Sequence, residues 1–201
     1  SITPVTDEVT VTIKGNSKTI PYNGEEQSVS GYTVESISNT LYSSTDFTLN
    51  GQATATGKDA NTYPMNLDAT QFVNNNTNFS NVKFEIAEDG QLVITPVTDK
   101  VTVTIKGHED TATYDGNPHS VEGYEVTNIS NKLYKENDIG FTGEAKAEGT
   151  KAGTYQMNLT AQQFSNISQN FTNVEFVVED GSLTINPKSI TPDGPDTPEE
   201  K

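Results

Sequence analysis

Lys14 and Lys106 occupy the same place in two nearly identical segments, TPVTDEVTVTIKG (3–15) and TPVTDKVTVTIKG (95–107). Set beside Asn66, Asn158 or Asn186, such a lysine could close an internal amide bond. The amine would attack the carboxamide, ammonia would leave, and a nearby acid would move the proton. The competing reading is a lysine lying along the polar face of a strand with its ammonium in water, and that is the one we expect. An intact mass lower by one ammonia per domain would mark the cross-link.

Carboxylates come next. Asp46/Asp138 and Asp89/Asp180 recur, and a glycosidase needs two such groups across a cleft. Asp89 and Asp180 each precede Gly, where a turn already calls for Asp. Calcium would suit acidic loops, but no segment has the D-x-[DN]-x-[DN]-G spacing. No cofactor is therefore expected, with calcium the one ion left as a candidate. His108 and His119 stand where the other copy has Asn16 and Gln27, so a site built on them would exist once only. No Ser-His-Asp spacing or HExxH accompanies them, so no catalytic, cofactor-binding or metal-binding residue is assigned and an enzyme is not expected. Triplets such as Asn78-Phe79-Ser80 and Asn170-Phe171-Thr172 would accept glycans only in a eukaryotic secretory route.

Composition narrows the partners. The chain has 28 acids against 12 cations, a net charge of −16, and every cation is Lys. That argues against nucleic acid, whose phosphates need basic neutralisation, and against bidentate Arg capture of anions. Cysteine and tryptophan are absent, so disulfides and thiolate chemistry are excluded. No apolar run approaches the ~20 residues of a membrane span, and no signal peptide is visible. The eight tyrosines all recur, as Tyr22/Tyr114, Tyr32/Tyr124, Tyr42/Tyr134 and Tyr63/Tyr155, and so do Phe72/Phe164, Phe79/Phe171 and Phe84/Phe176. An aromatic platform for sugars is one use of such rings. In a domain without Trp they are needed as core, which is the reading we prefer.

The elements that position these groups follow from the repeat. An offset of 92 carries SVSGYTV (28–34) onto SVEGYEV (120–126), ISNTLY (37–42) onto ISNKLY (129–134), and TYPMNL (62–67) onto TYQMNL (154–159). Two domains are expected, over 1–95 and 96–187, with an acidic, Pro-rich and disordered tail over 188–201. Charge is even: residues 1–94 carry 11 acids and 4 lysines, and residues 95–187 carry 13 and 6, a net −7 each. Ser189-Ile190-Thr191-Pro192 repeats Ser1-Ile2-Thr3-Pro4, as in a segment of a longer array. Val9, Val11 and Ile13 alternate with polar residues, the mark of a half-buried strand. Asn23-Gly24 and Asp115-Gly116 favour hairpin turns. We read roughly seven strands per unit and an all-β fold of two tandem immunoglobulin-like β-sandwich domains. DATQF (68–72) and TAQQF (160–164) have the caps of one helical turn, and a helix crossing the sheet would make a β-grasp domain instead. The short link containing Pro96 is expected to be stiff and the arrangement elongated.

AGTYQMNL (152–159) with NFTNVEFVVEDGSLTINP (170–187) resembles the "GTY … NY-x-V-x-F-x-x-G-x-L-T-I-x-P" ending of MBG-type repeats, and YDG (114–116) followed by HSVEGYEV resembles YDG-type repeats. Copy one departs with YNG (22–24). The resemblance implies a large, repetitive surface protein of Gram-positive bacteria, extracellular and held to the cell wall through a region outside this segment. It supplies no catalytic residues. It implies a stalk or spacer that projects a distal binding domain, the alternative being an adhesin module whose repeats bind host glycan or protein. Expected partners are neighbouring repeats of the same chain and, for the alternative, a host glycan or protein. No nucleic acid and no membrane insertion are expected, and the chain should be a monomer.

Overall fold

The computed structural model describes residues 2–190, so most of the tail, from Thr191 on, lies outside the described residues. The chain divides into two compact units, Ser1–Thr98 with Gln169–Thr172, and Asp99–Ser168 with Asn173–Lys201. In the first, β1 (Val9–Gly15), β2 (Lys18–Pro21), β3 (Gln27–Ser30), β4 (Tyr32–Ile37) and β5 (Phe47–Leu49) are followed by β6 (Thr54–Gly57), β7 (Asn61–Pro64), β8 (Phe72–Asn74), β9 (Val82–Glu88) and β10 (Gln91–Thr95). The second unit repeats this series. It runs through β11 (Val101–Gly107), β12 (Glu109–Thr113), β13 (His119–Glu122), β14 (Tyr124–Ile129) and β15 (Ile139–Phe141). Then come β16 (Lys146–Gly149), β17 (Gly153–Gln156), β18 (Phe164–Asn166), β19 (Val174–Glu179) and β20 (Ser182–Asn186).

The all-β, sandwich-like reading holds, while the count of seven strands per unit is too low. Strands come in consecutive pairs, each pair being one run of chain that leaves one sheet at a corner and enters another. Sheet β4-β1-β9 faces the ladder β5-β8, and sheet β2-β10-β7 faces the ladder β3-β6. Followed as five runs, the pairings close into a ring: β3/β4 beside β1/β2, then β9/β10, β7/β8, β5/β6 and back to β3/β4. Neighbours are antiparallel except for the first and last runs, which lie parallel along both β1–β9 and β2–β10. Closing the ring leaves no run with an unpaired neighbour, which deals with the edge-strand hazard of small sheets.

Two cores result, one in each half of the ring. Val9, Val11 and Ile13 are wholly buried against Phe47, Phe72 and Phe79, whereas Leu92 and Ile94 pack with Ala55, Met65 and Leu67 in the other half. Tyr32, Leu49 and Ile86 touch both. This explains how a chain that is only 31% hydrophobic folds: period-2 strands put nearly every large apolar residue inside.

The corners are built by contact between runs. Gly15 and Gly90 cross so closely that a Cβ on Gly15 would stand 2.6 Å from Gly90 Cα, and one on Gly90 would stand 2.6 Å from the Asn16 oxygen. Gly107 and Gly181 repeat the crossing in the second unit. The helical turn read from DATQF is a 3-10 turn, Ala69–Gln71, capped by the Asp68 carboxylate and by the Gln71 side chain. Thr160 precedes the matching turn, Ala161–Gln163. Three residues cannot cross a sheet, so the β-grasp alternative is not realised.

Candidate functional site

The structure places each candidate residue in a local role. Lys14 points off β1 to Glu88 at 2.6 Å, and this hydrogen-bonded, opposite charge raises its pKa. Lys106 lies 3.6 Å from both Glu109 and Glu179. Asn66 and Asn158 instead sit at the corner after β7 and β17 with φ of 58° and 61°, their side-chain amides turned to the carbonyls of Pro64 and Gln156. Asn186 ends β20, where its carbonyl accepts from Tyr114 N–H. Both lysines thus face carboxylates rather than Asn66, Asn158 or Asn186.

The paired aspartates are brackets. Asp89 accepts from Asn66 N–H at 3.0 Å and Leu67 N–H at 2.9 Å, and Asp180 takes Asn158 N–H at 3.0 Å and Leu159 N–H at 2.8 Å. Each carboxylate satisfies two backbone donors that the left-handed corner turns away from any ladder. Asp89→Ala leaves Leu67 N–H without its partner in a half-buried corner, and we expect the first unit to lose about 2 kcal/mol in urea titration. Asp46 accepts Ser43 N–H at 2.7 Å and the Asn76 amide at 2.8 Å. The Ser43 backbone N–H is the main cause of its lowered pKa.

Both histidines act as hydrogen-bonding staples. His108 Nδ1 lies 2.8 Å from the Glu122 carbonyl, which is what the Asn16 amide does to the Ser30 carbonyl at 2.9 Å. Asn and His can therefore exchange at this position without loss of the bond. His119 Nε2 is 3.0 Å from Asp115, whose carboxyl is held down to about 2 by Asn117 N–H first, then the Asn117 side chain and His119.

The aromatic residues divide between core and surface. Tyr42 and Tyr134 are buried, and each hydroxyl donates to an aspartate carbonyl four residues on and to Asn74 or Asn166. Burial first, then the Asp138 charge, pushes the Tyr134 hydroxyl up to about 12 from 10.0. Between those values the folded protein holds a proton that the unfolded chain releases, so stability falls as pH rises through this window. Urea midpoints at pH 8 and pH 11 should show the drop, and Tyr134→Phe should reduce it. Tyr114, by contrast, is 41% exposed. It lines a concavity of about 640 Å³ with Lys151, Ala152, Pro187, Lys188 and Ile190, which no motif announced. A second, of about 710 Å³, is lined by Ile129, Asn131, Lys132, Tyr134, Lys135, Glu136 and Asn137. Among the described residues no three His, Asp or Glu side chains are grouped to hold a metal.

The MBG domain model matches residues 100–187. This stretch is consistent with an MBG-type repeat. Its strands β11 to β20 carry the match, and the first unit repeats their sequence at an offset of 92 that falls to 91 at the last strand. MBG domains are typical of extracellular proteins and are generally non-enzymatic. Among the described residues no helix is long and apolar enough to cross a membrane. No curated protein matches the chain. Of solved structures, the crystal structure of the N-terminal four Ig domains of Dscam1 isoform 9.44, with zinc, is similar at 11% identity and a TM-score of 0.26. The match covers 89% of this chain and 46% of that one, so the chain spans about half its length.

Proposed function

We propose that these MBG-type repeats are a structural spacer of a Gram-positive cell-surface protein, projecting a distal binding domain from a wall to which it is attached outside this segment. One observation supports this above others: the polar residues that recur in both copies are spent on architecture. Asp89 and Asp180 bracket corners, Asp46 and Asp138 close turns, and Lys14 and Lys106 pair along strands. A spacer needs a body that can be repeated, and these two units repeat the same series of strands. The even negative charge of the two copies suits solubility at a crowded surface.

The test is a glycan array and a mucin pull-down with the whole chain. No saturable binding is the expected result. Saturable binding would replace the spacer with the adhesin reading.

A further inference from the structure

The first unit includes the segment Gln169–Thr172, folded onto its surface. Asn170 Oδ1 accepts from Ala60 N–H at 2.6 Å, Asn170 Nδ2 donates to Asp59 at 2.9 Å, and Phe171 meets the Tyr22 ring edge-on at 5.8 Å. Asn170 is 8% exposed as a result. The offset of 92 carries Tyr22, Asp59 and Ala60 onto Tyr114, Lys151 and Ala152, which are the residues lining the open concavity of the second unit. The same offset carries the Asn-Phe-Thr loop back onto Asn78-Phe79-Ser80, where Asn78 is exposed. One chain thus holds the socket twice, covered in the first unit and open in the second. It also holds the loop twice, with the asparagine buried once and exposed once.

We infer that the Tyr114–Ala152 concavity is a socket for the Asn78-Phe79-Ser80 loop of a second copy of this chain. The chemistry of the covered socket transfers with one change. Ala152 N–H would donate to the exposed Asn78 side-chain oxygen, and Tyr114 would flank Phe79, itself a core ring packed on Tyr42 and only 5% exposed. Lys151 stands where Asp59 accepts, so the amide oxygen, which has two lone pairs, would accept from the lysine as well. Lys151 and Lys188 also put two cations at the rim of a chain with net charge −16, which lowers the repulsion that an approaching acidic copy would meet. The contact is heterologous, loop of one copy to socket of the next, and so propagates head to tail. In trans it should be weak, with a dissociation constant of roughly 1 mM.

The inference rests on the socket geometry and on repeats occurring in series, not on the absence of a glycan ligand, so it fails or stands separately from the spacer reading. The test is sedimentation equilibrium of the full chain up to ~1 mM at physiological salt, where the Debye length is about 8 Å. The weight-average mass should rise with concentration. Asn78→Ala and Tyr114→Ser, both at exposed positions, should each weaken association at least fivefold. An equimolar mixture of the two should regain dimers without longer chains, because one partner keeps an intact socket and the other an intact loop. A constant monomer mass over the whole range overturns the inference. So does association that both variants leave unchanged.

Discussion

Gly15→Ala lowers the stability of the first unit by about 3 kcal/mol, toward the upper end of what overpacking costs. The reason is the corner crossing. The added methyl would stand 2.6 Å from Gly90 Cα, and what it meets is backbone, which cannot rotate out of the way as a side chain can. Relief requires the first and last runs to separate at the point where both change sheets, and their parallel pairing on either side resists that. In a unit of about 100 residues, 1 kcal/mol moves the melting temperature by roughly 4–8 °C, so a shift of more than 10 °C in calorimetry is expected. Gly107→Ala should act likewise on the second unit, since its Cβ would lie 2.7 Å from Gly181 Cα. Gly116→Ala is the control: its φ is +85° but nothing lies within 4 Å of the new methyl, so only the smaller conformational cost of about 1 kcal/mol applies. Equal effects at Gly107 and Gly116 would refute the crossing as the cause.

Phe72→Ala removes about 4 kcal/mol from the first unit. Phe72 is 5% exposed and lies at the meeting of three rings, edge-on to Tyr32 at 5.1 Å, to Phe47 at 6.0 Å, and stacked on Phe84 at 5.7 Å. Three flat neighbours leave a void that the short strand β8 cannot collapse to fill, because its backbone is tied to β5 at Leu49 and Phe47. Domains of this size have about 5–15 kcal/mol to lose, so the variant should unfold at a much lower urea concentration. The second unit keeps its own Phe164 and serves as an internal reference. A loss below about 1.5 kcal/mol would mean that the ring cluster is not the centre of this half of the fold.

Much of the fold is legible along the chain. The alternation at Val9, Val11 and Ile13 marks β1 because each apolar side chain is buried and each Thr between is partly exposed. Gly116 has the positive φ that the Asp115-Gly116 dipeptide favours. The corners were not legible, because Gly15 acquires its meaning only from Gly90, which lies 75 residues further on. The left-handed conformations of Asn66 and Asn158 are illegible for a related reason. Their signal, an Asn after Met and before Leu, is weak until Asp89 or Asp180 arrives to bracket it. The same distance hid the partner of Lys14, since Glu88 is adjacent only through the parallel pairing of β1 with β9. Tyr114 departs from the core reading of the aromatic set: it follows β12 directly and is 41% exposed.

The parallel pairing of the first and last runs bears on mechanical load. Tension applied at the two ends of a unit pulls β1/β2 and β9/β10 in opposite directions along their common axis. Their cross-strand bonds are then sheared together rather than peeled apart one at a time, and rupture must wait for many to fail at once. A body clasped in this way yields late under traction, as anything tethered in a flowing medium would need to.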